Sequence, residues 1–173
     1  ANLKDVFKSI NNILSENGVL IIEDPSLLEC IKKTSYDQFY NEHIYVFSAL
    51  AVKNIINQFG LELFDIQKIN THGGSLRYFI KKKDNNLIKI TKKVSIQIKK
   101  EVKYGLNKFS TYKNFGKKTI KSKIKLLSIL NKLKKKNKTI VGYGATAKAT
   151  TVLNYCNIDE KIIDFFIDTT PDK

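Results

Sequence analysis

The sequence predicts an α/β chain in which two sheet-and-helix units are joined by a helical linker, and three observations carry that reading. A continuous apolar run, Val19 to Ile22, sits between segments of helical period and ends in Glu23-Asp24-Pro25, the pattern of a short buried parallel strand. From about Thr91 to Lys136 the chain is lysine-rich, helical in period and nearly free of breakers apart from Gly105 and Gly116. Thr139 to Val141 then opens a strand, followed by a glycine-rich turn, a helix through about Tyr155 and a strand Ile162 to Ile167 ending in Asp168. The boundaries read 1–90 for the first unit, 91–137 for the linker and 138–173 for the second unit.

Each element follows from its local pattern. Leu3, Val6, Phe7, Ile10, Ile13 and Leu14 recur at helical spacing, and Asn17-Gly18 supplies a stop. From about Thr34 to Phe47 there is neither period, but there are many aromatics: Tyr36, Phe39, Tyr40, Tyr45 and Phe47. Ser48 caps a helix bearing Leu50, Val52, Ile55, Ile56 and Phe59, which Gly60 ends. Leu61, Leu63, Ile66 and Ile69 fit a strand, and after Thr71-His72-Gly73-Gly74 the run Ser75 to Ile80 fits another, antiparallel to it. The linker predicts two or three helices and no coiled coil, since no heptad persists. The last strand, turn, helix and strand form a βαβ unit.

The bulk numbers exclude more than they assign. A hydrophobic fraction of 42% over 173 residues supports a real core. The net charge of +15 invites a nucleic-acid partner, but Arg77 is the one arginine among 31 basic residues. Arginine is the preferred residue for bidentate phosphate and guanine contacts, so solvated lysine faces such as 81–83 and 134–136 are the simpler account. Cys30 and Cys156 are far apart, with no Cys-x-x-Cys and no nearby His, so no zinc site or disulfide framework is expected here. No apolar run approaches the roughly 18 residues of a membrane span and no signal pattern opens the chain, which predicts a cytoplasmic protein without a membrane partner. The chain begins at Ala1, contains no Met and stops at Lys173 just beyond an apolar run, and reads as an internal piece of a longer polypeptide.

Three segments carry chemistry. Tyr40-Asn41-Glu42-His43 puts a phenol, a carboxylate and an imidazole within four residues, a set suited to moving protons, although short polar clusters are mostly solvated loops. Gly142-x-Gly144-x-x-Ala147 satisfies the dinucleotide fingerprint, whose small residues allow backbone N–H groups to approach a pyrophosphate at a helix N-terminus. Asp168 closes the next strand, where an acid would meet a ribose hydroxyl. A bare strand–helix turn is the plainer account, and a nicotinamide-dependent oxidoreductase or a nucleotide-binding module is the alternative function that the fingerprint alone suggests. His72-Gly73-Gly74 puts an imidazole beside two residues free to adopt positive φ, or else makes a hairpin turn. Arg77 reads as a phosphate or carboxylate clamp, or as an outward-facing charge. Glu23 and Asp24, at the end of the first strand, are ligand candidates or the start of a turn.

Taken together these segments resemble the sugar C-methyltransferases that act on nucleotide-linked keto-deoxyhexoses. The similarity lies in Gly18-Val-Leu-Ile-Ile-Glu-Asp24, Tyr40-Asn-Glu-His43, Gly60-Leu61, His72-Gly-Gly-Ser-Leu-Arg77, Gly142-Tyr-Gly-Ala-Thr-Ala-Lys148, Leu153-Asn-Tyr-Cys156 and Asp168-x-x-Pro171-x-Lys173, in that order over nearly the whole length. The resemblance implies that residues 1–90 end a class I methyltransferase Rossmann-like sheet and that 138–173 start a second Rossmann-like domain holding the nucleotide-sugar. It implies S-adenosyl-L-methionine as cofactor, with its main binding loop outside this segment, and zinc only in a domain N-terminal to it. It casts His43 as the base that removes a proton beside the ketone, Glu42 as its orienting partner and Tyr40 as stabiliser of the enolate oxygen. His72, Gly73, Gly74, Ser75, Arg77, Gly142, Tyr143, Gly144 and Lys148 would hold the substrate. The family often has a histidine where Asn41 stands, a proline at Thr146 and a glycine at Ala149.

Overall fold

The structure, a computed structural model, describes residues 2–170. Ala1 and the Pro171 and Lys173 of the terminal motif lie outside the described residues. The fold is mixed α/β, and it divides into two compact units, residues 1–32 with 46–109 and residues 33–45 with 110–173.

The first unit is a three-stranded antiparallel sheet with helices against it. Its helices are α1 (Leu3–Ile13), α2 (Leu27–Lys33), α3 (Ala49–Ile56) and α4 (Lys92–Tyr104), and its strands are β1 (Val19–Pro25), β2 (Leu61–Ile69) and β3 (Ser75–Lys82) in the order β1-β3-β2. β3 is antiparallel to both neighbours, so β1 and β2 run in the same direction on either side of it. The expectation of a buried parallel strand at Val19–Ile22 is therefore corrected: β1 pairs antiparallel with β3, and Val19 and Ile21 are exposed while Leu20 and Ile22 pack on the core. A four-residue apolar run does not by itself distinguish a strand buried on two faces from one buried on one.

Leu61, Leu63 and Ile66 all point into the core although their spacing breaks the period of two, because a register shift between Leu63 and Asp65 inserts the odd residue. They meet Phe7 from α1, Val52 and Ile56 from α3, Val94 from α4, and Leu76, Tyr78 and Ile80 from β3. α3 starts as its sequence predicts, with the Ser48 hydroxyl accepting the Ala51 N–H at 3.1 Å, and Gly60 closes the following 3-10 turn at φ 70°. Burial pushes the Tyr78 phenol far up, and the nearby charges of Glu101 and Asp24 add to it.

The second unit holds α5 (Phe109–Lys135), β4 (Val141–Tyr143), α6 (Ala147–Cys156) and β5 (Phe165–Ile167). β4 and β5 pair in parallel with α6 between them in sequence, a βαβ connection. Leu130 of α5, Cys156 of α6 and Ile158 form its buried centre, joined by Leu126, Val152, Ile140 and Ile162. Asp164 ties the approach to β5, accepting from Lys134 Nζ at 2.8 Å and from the Ile140 N–H at 2.7 Å. Among the described residues no helix is long and apolar enough to cross a membrane.

Candidate functional site

The segment 33–45 belongs to the second unit, so the Tyr40–His43 turn and the glycine-rich turn share one compact body. A 3-10 turn, Tyr36–Gln38, leads into it. The His43 N–H donates to the Tyr40 carbonyl at 2.9 Å, and the two rings meet edge to face with centroids 5.0 Å apart. His43 and Tyr40 are half-buried and Glu42 is exposed. Phenol and imidazole are thus held side by side, with the carboxylate between them in sequence and open to solvent.

The glycine-rich turn is built differently from a bare phosphate cradle. At Gly142 a Cβ would run into the Phe166 ring of β5, so this glycine permits the β4–β5 pairing. Gly144 has φ 93° and donates its N–H to the Ile167 carbonyl at 2.7 Å, a conformation that favours glycine. Thr146 caps α6, its hydroxyl accepting the Ala149 N–H at 3.2 Å. Asp168 faces back into the turn, one carboxylate oxygen accepting the Ala145 N–H at 2.7 Å and the other the Thr170 N–H at 2.8 Å. The acid that the fingerprint assigns to a ribose hydroxyl here fixes the turn. A cleft of about 360 Å³ opens beside it, lined by Tyr36, Asp37, Tyr143, Gly144, Thr146 and Lys148. Asp37 carries no motif in the sequence, and Tyr36 stands out there only as one of several aromatics.

In the first unit, His72 and the two glycines make the turn that joins β2 to β3. His72 has φ 50° and is exposed, Gly73 has φ 80° and Gly74 φ 125°. The Gly74 N–H donates to the Thr71 carbonyl at 2.8 Å, and its carbonyl accepts the Ser26 N–H at 3.0 Å. Ser75 is buried and donates its hydroxyl to the Thr71 carbonyl at 3.2 Å. Arg77 sits opposite Glu23 in the ladder and donates to it from Nε at 3.1 Å and Nη2 at 2.8 Å. Its hydrogen bonds and charge hold the Glu23 carboxyl below the usual carboxylate range. Asp24 accepts the Phe47 N–H at 3.3 Å. Both acids at the end of β1 thus have partners within the chain.

The family described as "C-methyltransferase C-terminal domain" matches residues 70–173. C-methyltransferase NovU of Streptomyces niveus is 25% identical over 169 residues, which is 98% of this chain and 40% of that protein. The chain spans well under half the length of this curated relative. With the family matched across more than half of its residues, the chain belongs to the C-methyltransferases.

Proposed function

We propose that this segment is the substrate-handling part of an S-adenosylmethionine-dependent C-methyltransferase that acts beside the keto group of a nucleotide-linked deoxysugar. The observation that carries the reading is one compact unit holding both the Tyr40–His43 pair and a cleft walled by Tyr143, Gly144 and Lys148. The co-directional β1 and β2, set on either side of β3 and ahead of the βαβ unit, support the same two-part plan.

A carbon next to a ketone is acidic enough for a positioned imidazole to remove its proton, a contribution of about 10²–10⁴-fold. His43 takes that proton. Tyr40, edge-on to it, donates its hydroxyl hydrogen to the enolate oxygen, an oxyanion role worth about 10²–10³-fold. Glu42 orients the imidazole once substrate covers the turn. Lys148 and the turn at Gly144 receive the diphosphate. Adenosylmethionine would supply the electrophilic methyl group. An oxidoreductase reading of the Gly142 turn would give Asp168 to a ribose; Asp168 instead accepts the Ala145 N–H.

The test incubates the intact polypeptide that carries these residues with adenosylmethionine and a nucleotide-linked 4-keto-deoxyhexose in deuterated buffer, beside His43→Asn. Methyl transfer, with solvent deuterium exchange at the reacting carbon that disappears in the variant, is the expected result. Transfer and exchange unaffected by the substitution would remove His43 from the mechanism. Tight nicotinamide binding without transfer would overturn the reading.

A further inference from the structure

α6 opens at the glycine-rich turn, and its remaining length is spent on the segment that carries Tyr40 and His43. Near its C-terminal end the Tyr155 ring packs on Tyr36 with centroids 5.1 Å apart, and Cys156 Sγ lies 3.8 Å from the Tyr36 hydroxyl. That end is itself tied to α5, through Tyr155 and Thr119 hydroxyls 3.0 Å apart and through Lys123 Nζ donating to the Tyr155 carbonyl at 2.7 Å. One turn earlier, the Thr151 hydroxyl donates to the Phe39 carbonyl at 3.3 Å. A threonine inside a helix ordinarily bonds its own helix four residues back; this one reaches a residue 112 positions away in sequence. Phe39 directly precedes Tyr40, and its ring is held against Phe115 of α5 at 6.1 Å.

We infer that Thr151 is a positioning residue for the proton-transfer pair: its hydroxyl fixes the Phe39–Tyr40 peptide, so that the helix whose N-terminus borders the cleft also sets where Tyr40 and His43 stand. The inference rests on the reading that His43 takes the proton. Small displacements of a reacting group cost large factors in rate while leaving ground-state binding nearly untouched.

The experiment measures methyl transfer and substrate deuterium exchange on the intact protein for Thr151→Val, Thr151→Ser and His43→Asn, with Tm recorded for each. Thr151→Val keeps the shape and removes the hydroxyl. It should lower kcat and the exchange rate about tenfold with KM within about twofold, and Thr151→Ser should restore both. A merely structural role would lower Tm and leave kcat of the folded fraction unchanged, which would overturn the inference. Wild-type kcat in Thr151→Val beside an inactive His43→Asn would overturn it while the functional reading stands. Full transfer and exchange by His43→Asn would overturn both.

Discussion

Arg77 and Glu23 face each other across the β1–β3 ladder, with Arg77 Nη2 2.8 Å from Glu23 Oε2. Arg77 also reaches Gln67 Oε1 at 3.4 Å on the opposite strand, so the single arginine spans all three strands of its sheet. Because the Glu23 carboxyl is held below its ordinary range by Arg77, its contribution to stability is fully present above the unfolded pKa and is lost as pH falls through the lower folded one. Arg77→Gln should therefore lower the urea midpoint at about pH 7, and the gap to wild type should shrink toward about pH 3. A gap independent of pH would mean that Arg77 acts through packing alone.

The turn at Gly73-Gly74 separates two causes of glycine use. A Cβ at Gly74 would lie 3.0 Å from Glu29 Cγ and the residue has φ 125°, whereas a Cβ at Gly73 would meet nothing within 4 Å and the residue has φ 80°. Gly73→Ala should cost about 1 kcal/mol from backbone strain alone. Gly74→Ala should cost about 2–3 kcal/mol, since strain and a crowded neighbour add. Equal losses in denaturant unfolding would show that Glu29 moves aside freely.

Glu101 is fully buried and caps another element's helix: its carboxylate accepts the Ala49 N–H at 3.0 Å and the Leu50 N–H at 2.9 Å, with Gln97 Nε2 at 2.9 Å. Those amides are among the donors that a helix start leaves without an internal partner. Glu101→Ala should lower stability by about 2–6 kcal/mol, from two orphaned helix-start donors at about 1–3 kcal/mol each. Glu101→Gln, which keeps one acceptor oxygen, should fall between. A loss under about 1 kcal/mol in thermal unfolding would show that water replaces the carboxylate.

What was legible in the sequence was whatever a short stretch decides for itself. Ser48 and Gly60 bracket their helical segment as read, and the antiparallel pairing of the two later strands follows from the turn between them. Gly116, which reads as a breaker, lies inside α5, because a helical glycine costs only about 1 kcal/mol, which a helix of 27 residues absorbs. Features set by distant partners left no local sign. Glu101 in a lysine-rich helix reads as surface, yet it is buried because α3 presents amides to it. Asp168 closes its strand where the fingerprint has an acid, but its bond from the Ala145 N–H left no local sign. In the candidate site, Tyr40 and His43 were visible as residue types, while the cleft wall contributed by Asp37 depends on how residues 33–45 fold onto the second unit.

The cleft beside the glycine-rich turn carries two charges of opposite sign, Lys148 and Asp37, on walls from different parts of the chain. If a nucleotide diphosphate sits there, the two substitutions must act in opposite directions, because one removes attraction for phosphate and the other removes repulsion. Lys148→Ala should raise the Kd of a nucleoside diphosphate about tenfold, or about 1.4 kcal/mol, and should flatten the salt dependence of binding by about one phosphate contact. Asp37→Asn should tighten the same ligand, by less than tenfold because the charges are partly screened. Titration calorimetry at two salt concentrations measures both. Weakening by both substitutions would overturn the placement of the phosphates between Lys148 and Asp37. Indifference to both would move the diphosphate out of this cleft and leave the turn at Gly142–Gly144 a purely structural one, made necessary by Phe166 and Asp168.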